Sequence, residues 1–428
     1  MTATVLETYQ SQLESVIGAI PCTDALRRSA MDKALTAGLP TPKDEDWRYS
    51  DLKPFRTGAF ALSKAAQTSD MPIQYFADKP AARLVFINGQ FSEERSDLGT
   101  LSDSVRLKTL TNHCQVDTAR ADDLLEGVDA LDYLNTALMR DGIVISVPAG
   151  VHVTAPVELI NLVTNSAKAA THTRHLIELG ENASLTLIEQ YVGDATDYWS
   201  NPVMQVRMGE GARFDHIRMQ SEGSHAVHTG KLYVDLDARA TYRGTSIMTG
   251  AALSRLEITA RILGTGAHAD INGAALAAPG QSHDTITRVD HRIPGATSEQ
   301  IYRTIADKRA KSSFQGKITV AVDAQETAAD QSFKALLLDR TGEANAKPEL
   351  EIFADDVKCS HGATVGELDT SALFYLTSRG IDPDTAQQML VEAFTGDALI
   401  AVEDDDLRNA LMDNVSRWMQ ERSKGGTQ

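Results

Sequence analysis

The chain has 428 residues, of which 42% are hydrophobic and 23% are charged, and its formal net charge is −18. These proportions are ordinary for a globular protein, and the length leaves room for two or three structural units with sizeable cores. The acidic balance argues against a nucleic-acid-binding protein, which would carry a basic stripe, and no apolar run approaches the ~20 residues of a membrane span.

Cysteine usage and the first residues indicate a compartment. Cys22, Cys114 and Cys359 are too few and too scattered for a disulfide framework, so we expect a reducing environment. The opening segment, MTATVLETYQSQLESV, contains acidic residues and lacks the apolar stretch of a signal peptide. We therefore expect a cytoplasmic protein without a membrane anchor.

Helical spacing predicts an N-terminal helical domain over residues 1–80. Its first apolar stripe is formed by Val5, Leu6, Tyr9, Leu13, Val16 and Ile17. A second amphipathic stretch, Ala25–Ala37, is followed by Gly38 and Pro40, which are typical of a helix end.

Residues 81–368 are predicted to form a β-solenoid, because a turn motif followed by an alternating strand recurs there. The four turns are Leu179–Ala183, Met208–Ala212, Leu236–Ala240 and Leu263–Ala267. Their last alanines lie 29, 28 and 27 residues apart. Such a period holds two strands and their turns, whereas a propeller blade needs four strands in ~40 residues or more. A single rung cannot cover its own core face, so rungs must stack.

Residues 369–428 are predicted to return to helix. The three helical stretches are Asp369–Arg379, Pro383–Phe394 and Asp404–Met419, with Gly380 and Gly396 as stops. Asp382 followed by Pro383 is a favourable helix start, because proline suits the first helical position.

The pattern that most constrains function lies in Leu350–Gly366, where Cys359 and His361 are two residues apart in a predicted strand. Residues i and i+2 of a strand share a face, with Cα atoms roughly 6.5–7 Å apart. A thiolate and an imidazole suit zinc, iron or iron–sulfur chemistry, but a metal site needs about four ligands. The remaining ligands must come from elsewhere in the fold or from a second protein.

The alternative for Cys359 is structural, because free cysteines are often buried as small hydrophobic groups. On a strand, Asp355 would share the face of Cys359 and raise the pKa of its thiol, while Lys358 would point away.

Two motifs partly match nucleotide-binding loops but lack the neighbouring residues or elements that such loops require. Gly264-x-Gly266-x-x-Ala269 resembles a dinucleotide loop, but no helix follows it. Gly316-Lys317 is followed by Ile318 rather than by Ser or Thr, so a phosphate-binding loop is not expected and no ATP site is assigned to this chain.

The histidines outside Cys359–His361 are expected to be structural. His172 and His175, like His225 and His228, are three residues apart and point to opposite faces of a strand, so we expect surface histidines. His291 is expected inside the solenoid, in a packing or hydrogen-bonding role.

Several motifs closely resemble, in order, those of the SufD subunits of the Suf iron–sulfur cluster assembly scaffold. They are Leu39–Thr41, Asp44–Leu52, Val289–His291, Ser298–Tyr302, Phe314–Ile318, Ala324–Thr327, Leu336–Leu338 and Leu373–Ile381. The sister subunit SufB carries an acidic residue beside its histidine where this chain has Ser360 next to His361, which favours the SufD type. One departure is Asp307–Lys311, where the resemblance leads us to expect a more glycine-rich turn.

The resemblance implies a mainly β fold, with a right-handed parallel β-helix core between N-terminal and C-terminal α-helical domains. It implies a non-catalytic scaffold that pairs with SufB through the β-helix and with the SufC ATPase through the C-terminal helical domain. A homodimer of the isolated chain is also expected. The nascent iron–sulfur cluster would be held transiently and shared with SufB. His361 aligns with the interface histidine implicated in cluster assembly and Cys359 lies in the same motif, so both are candidate cluster or iron ligands.

Two alternatives remain at this point. One is a SufB-like sister subunit. The other is a β-helix carbohydrate lyase or hydrolase, which would need carboxylates and basic residues grouped on one exposed rung face, and the repeats offer no persuasive group.

The C-terminal helices are expected to present apolar residues to SufC, namely Leu390, Val391, Phe394 and Leu399.

Overall fold

The fold is that of a computed structural model, which describes residues 4–56, 58–64, 71–99, 101, 105–116, 124 and 127–425. The described residues form an N-terminal helical layer, a β-solenoid of about eight turns and a set of C-terminal helices. The predicted mainly β solenoid fold is therefore confirmed. Within these ranges, none of the helices combines the length and apolar character needed to span a membrane.

The helices lie at the two ends of the chain and between the first strands. In chain order they are α1 (Val5–Gln12), α2 (Asp24–Ala37), α3 (Lys53–Arg56), α4 (Leu110–Val116), α5 (Ala130–Leu138), α6 (Thr370–Ser378), α7 (Pro383–Gly396) and α8 (Asp405–Gly425). Short 3₁₀ turns occur at Leu13–Ser15, Glu45–Trp47 and Asp397–Leu399. The predicted helix start is confirmed, since Asp382 caps α7 and Pro383 is its first residue. Helix α7 ends at Gly396, as predicted, and the 3₁₀ turn follows it directly.

The strands occupy most of the chain between residues 61 and 367. In chain order they are β1 (Ala61–Leu62), β2 (Ala82–Ile87), β3 (Gln90–Phe91), β4 (Arg106–Thr109), β5 (Ile143–Val147), β6 (Val157–Val163), β7 (Ala169–Thr171), β8 (Arg174–Leu179), β9 (Ser184–Gly193), β10 (Trp199–Ser200), β11 (Val203–Met208), β12 (Arg213–Ser221), β13 (Val227–Leu236), β14 (Thr241–Met248), β15 (Leu253–Ile262), β16 (His268–Ala277), β17 (Ser282–His291), β18 (Thr297–Ala306), β19 (Lys311–Val320), β20 (Thr327–Leu337), β21 (Glu343–Ile352) and β22 (Val357–Glu367).

Two sheets face each other across the solenoid core. The first sheet runs β4-β5-β8-β11-β13-β15-β17-β19-β21, and the second runs β3-β2-β6-β9-β12-β14-β16-β18-β20-β22. From β11 onward the chain alternates between the sheets, and each strand pairs in parallel with the strand one rung away. The antiparallel pairs, β2 with β3 and β4 with β5, lie at the beginning of the solenoid.

The repeated turn motif lies where the chain passes from the first sheet to the second. One residue of each turn has a positive φ: Asn182 (54°), Gly211 (67°), Arg239 (55°), Gly266 (73°), Gly295 (70°) and Glu326 (59°). Successive turns are also joined along the axis, since the amide of Gly211 donates to the Ala238 carbonyl at 2.8 Å. On the opposite side of the solenoid, Arg309 has a φ of 55°, so the turn expected to be glycine-rich does adopt a conformation that glycine favours.

We predict that Gly266→Val destabilises the protein by about 1–2 kcal/mol, because a β-branched side chain is strained at a φ of 73°. The nearest atom to a Cβ built there is Cγ of Arg239 at 3.5 Å, so backbone strain rather than a clash is tested. Thr265→Val, an exposed neighbour in the same turn, is the matched control. Equal free energies of unfolding for the two variants in denaturant titrations would contradict the prediction.

Helices α4 and α5 were not predicted from the sequence and interrupt the strands between residues 110 and 138. Leu131, Leu134 and Leu138 of α5 pack against Met31 and Ala34 of α2, in one core with the N-terminal layer. His113 and Cys114, which are adjacent in sequence, both lie on α4 and are buried.

The N-terminal motif at residues 44–52 anchors the helical layer to the outer face of the first sheet. The Arg255 guanidinium lies 3.7 Å from the centroid of the Trp47 ring and donates to the Asp46 carbonyl at 2.9 Å and to Ser50 Oγ at 2.8 Å. Asp46 also pairs with Arg288 at 2.6 Å. The resemblance motif therefore has a structural role, because it holds the helical layer on the sheet through a cation–π contact and partly buried hydrogen bonds.

The C-terminal helices cover the outer face of the second sheet. Val391 and Leu399 are 0% and 1% exposed and pack in one apolar cluster with Ile217 and Ile305. Phe394 is partly buried at the margin of that cluster. The expectation that these side chains face a partner is thus wrong for Val391 and Leu399, because the outer face of the sheet is itself apolar and takes up the helix stripe.

Candidate functional site

Cys359 and His361 lie on β22, the last strand of the second sheet. In the parallel register between β20 and β22, Ala329 is opposite Cys359 and Gln331 is opposite His361. Ala329 and Gln331 are buried in the solenoid, so by strand alternation Cys359 and His361 both face its interior side. The predicted sharing of one face is therefore consistent with the register.

The thiol of Cys359 is half-buried, and it packs at the margin of an apolar cluster that includes Ile318, Ala329 and Ala354. Burial raises the pKa of Cys359, and a hydrogen bond with the Ala329 backbone only partly opposes this. The thiol is therefore protonated near neutral pH until a metal or a base removes its proton.

The expectation that Asp355 shares the face of Cys359 and raises the pKa of its thiol is wrong. Asp355 lies in the bend before β22, outside the strand, and is exposed to solvent. The raised pKa of Cys359 has burial as its main cause, and a backbone hydrogen bond as the opposing contribution. The strand begins at Val357, two residues later than the alternation suggested.

His361 is exposed, and its neighbour Gly362 has open space around the position of a Cβ. On the opposite face of β22, the Ser360 hydroxyl donates to the Asp330 carboxylate of β20. A groove of about 420 Å³ runs beside the strand and is lined by Ala329, Asp330, Cys359 and other residues of β16, β18 and β20. The imidazole is thus accessible while the thiol is partly covered.

Among the residues that the structure describes, the site is incomplete as a metal centre. In the described residues no group of three or more His, Cys, Asp or Glu side chains is arranged to hold a metal ion. Cys359 and His361 supply at most two of the roughly four ligands that iron or zinc normally takes.

The strand carrying these residues also forms an open edge. Within the described ranges, β22 pairs only with β20 and β21 pairs only with β19, so both sheets expose an edge at the same end of the solenoid. We call this end, formed by β21 and β22, the open end. Large apolar side chains are exposed beside it: Ile352 (39%), Phe353 (60%) and Val365 (46%). Unpaired strand edges with apolar neighbours are suited to pairing with another chain.

A polar network in the centre of the solenoid was missed by the sequence reasoning. Glu189 Oε2 lies 3.1 Å from His216 Nε2 and 3.3 Å from Arg218 Nε, and Arg218 Nη2 lies 2.7 Å from His228 Nε2. Burial alone would raise the pKa of Glu189, but the hydrogen bond from His216 and the charge of Arg218 outweigh it and hold the pKa at about 2. Within each strand, residues i and i+2 point to the same face. Glu189, His216 and Arg218 could therefore have been predicted as interior residues by following this alternation from the apolar residues of their strands.

The expectation of surface histidines is wrong for three of the four residues concerned. His172, His175 and His228 are 2%, 1% and 0% exposed, whereas His225 is exposed. Burial lowers the pKa of His172 to about 3 and that of His175 to about 4, so both are neutral. His291 is confirmed as an interior residue, with Nε2 2.9 Å from Ser298 Oγ.

Comparison with known proteins identifies the family. Residues 162–394 match the family described as "SUF system FeS cluster assembly, SufBD core domain", and residues 3–159 match "SufBD protein N-terminal region". The chain belongs to the SufBD family. It is therefore an iron–sulfur cluster assembly protein, and this assignment replaces the carbohydrate-enzyme alternative.

Individual relatives within the SufBD family agree along most of the chain. An iron–sulfur cluster assembly SufBD family protein of Synechocystis sp. is 30% identical, covering 91% of this chain and 90% of that protein. Escherichia coli SufD is 29% identical, and the match covers 90% of this chain and 91% of that protein. Bacillus subtilis SufB is 25% identical, but the match covers only 61% of this chain and 56% of that protein. The names of the relatives therefore favour a SufD-type member of the SufBD family over a SufB-type member.

Proposed function

We propose that this chain is a non-catalytic, cytoplasmic scaffold subunit on which an iron–sulfur cluster is built at a site shared with a SufB subunit. The open end would be the surface that pairs with SufB. SufC would bind the C-terminal helical domain, residues 369–428, and supply ATP hydrolysis. The cluster is the cargo of this scaffold, passing through it transiently.

The observation that supports the proposal is an open solenoid end carrying a thiol and an imidazole on its last strand. Edge strands leave backbone N–H and C=O groups unpaired, and a strand from a partner satisfies them. The same contact would bring the partner's ligands to Cys359 and His361, which cannot complete a metal site alone. In the absence of SufB, two copies of this chain would use the same edges to form a homodimer.

We predict that His361→Ala leaves the complex with SufB and SufC assembled but lowers the iron and sulfide recovered on it by roughly tenfold or more. Even residues that only orient a metal ligand are worth about that factor, so loss of the ligand itself should cost no less. Cys359→Ser should have a smaller effect, because the thiol is half-buried and its pKa is raised.

Ser360→Ala is the matched control for His361→Ala, since Ser360 lies on the same strand and faces away from the interior. Iron and sulfide are measured on complexes purified by size exclusion. A fully loaded His361→Ala complex would contradict the ligand role, and loss of the complex itself would show that His361 is needed for assembly instead.

The surface proposed for SufC is α6 rather than the apolar stripe of α7. Helix α6 has no buried residue, and Phe374 and Tyr375 are 73% and 56% exposed. Ile400 (72%) and Met389 (43%) add exposed apolar area in the C-terminal helical domain. Exposed aromatic side chains of this kind dominate binding energy in protein interfaces.

We predict that Phe374→Asp raises the Kd for SufC by about tenfold or more, because an interface aromatic is replaced by a charge. Val128→Asp, at a similarly exposed apolar residue (64%) before α5, is the control and should leave the affinity unchanged. Point variants are preferred to deleting residues 381–428, because deletion would uncover Ile217 and Ile305 on the second sheet. Unchanged SufC affinity in Phe374→Asp, measured by calorimetry, would place the docking surface elsewhere.

A further inference from the structure

Gln331 is the residue of β20 that pairs in register with His361. Neighbouring parallel strands are ~4.8 Å apart, and both side chains lie on the interior side of the second sheet. Gln331 is 1% exposed, whereas His361 is exposed at the open end. The buried Gln331 and the exposed His361 are therefore neighbours along the solenoid axis.

The amide of Gln331 has unused hydrogen-bonding capacity. Neither its Oε1 nor its Nε2 has a hydrogen-bond partner among the described residues. Buried polar atoms are nearly always paired, and leaving them unpaired is costly, so an orphaned amide needs a partner from outside the described set of contacts. The two neighbours of Gln331 along this column are Gln300 on β18 and His361 on β22, and of these His361 lies on the exposed side, where water can enter.

The opposite sheet leaves space for this amide. A Cβ built on Gly316 of β19 would lie 2.1 Å from Gln331 Nε2, so any other residue at Gly316 would have to displace the amide. The glycine thus allows Gln331 to extend across the interior instead of folding against its own strand.

Gln300 occupies the same column one rung further in, since it pairs with Gln331 in the register between β18 and β20. It is 0% exposed, and both of its amide atoms also lack a partner among the described residues. Gln300 and Gln331 therefore share burial, chemistry and orientation, and differ in their distance from His361.

We propose that Gln331 is a positioning residue for His361, hydrogen-bonding one ring nitrogen through one bridging water molecule. This inference rests on the proposed function, in which the other ring nitrogen faces the partner and the cluster. A neutral imidazole has one donor and one acceptor nitrogen, and an amide can complement either of them. Metal-binding histidines are commonly oriented in this way, by a hydrogen bond to the nitrogen that does not bind the metal.

The test compares Gln331→Met with Gln300→Met in the full chain. Methionine is close to glutamine in shape, and it removes a buried amide that lacks a partner, so both variants should fold with wild-type stability. Long-range ¹H–¹⁵N spectra of protein labelled with ¹⁵N-histidine report the tautomer of each ring, and His361→Ala assigns the signal.

We expect one tautomer of His361 to dominate in the wild type, and its ratio to the other to change by about threefold or more in Gln331→Met, as for the loss of one hydrogen bond. Gln300→Met should leave that ratio unchanged. The same tautomer ratio in wild type and Gln331→Met, or equal changes in both variants, would overturn the inference.

Cluster loading separates this inference from the proposed function. In the complex with SufB and SufC, Gln331→Met should lower iron and sulfide several-fold relative to Gln300→Met, and less than His361→Ala does. If His361→Ala loads normally while the tautomer still depends on Gln331, the proposed function fails and the positioning contact stands. If His361→Ala fails to load and the tautomer ignores Gln331, the positioning role alone is wrong.

Discussion

The backbone hydrogen bonds between rungs are the interaction on which the rest of the structure depends. Each inner strand of the solenoid exchanges backbone hydrogen bonds with both of its neighbours along the axis, donating to and accepting from each, so its polar backbone groups are satisfied by the rungs on either side. The beginning of the solenoid is closed by the antiparallel pairs β2–β3 and β4–β5. Within the described residues nothing comparable covers β21 and β22, and the candidate ligands are on β22.

Each of the two helical parts packs on the outer face of one sheet. The N-terminal layer fixes itself to the first sheet through Trp47 and Arg255, and the C-terminal helices bury Val391 and Leu399 on the second. Both contacts leave the open end accessible and leave the aromatic side chains of α6 exposed. This arrangement allows one subunit to carry a strand-pairing surface and a separate helical surface at the same time.

Much of the fold could be predicted from the sequence because the sequence repeat reflects a recurring backbone requirement. A turn residue at positive φ is needed wherever the chain crosses from the first sheet to the second. The start of α7 at Pro383 was predictable from its capping pattern. Helices α4 and α5 were not, because segments of 7 and 9 residues are too short to be told from strands by periodicity alone.

The site was only partly predictable. Alternation correctly predicted that Cys359 and His361 share a face, but it could not show that β22 is an edge, since edge position depends on every other strand. It placed Asp355 in the strand, although the chain bends there. The buried histidines were missed because polar residues were expected at the surface, although alternation with apolar neighbours such as Phe214 places His216 on the inward face of its strand.

Hydrogen exchange of the backbone amides reports directly whether the open end is the surface that pairs with SufB. Exchange is followed by mass spectrometry in the chain alone, at a concentration where it is monomeric, and in its complex with SufB. If SufB pairs with the open end, exchange slows in residues 343–352 and 357–367 on binding and does not change in β13, which is paired on both sides. Unchanged exchange in β21 and β22, with protection appearing on another surface, would contradict it.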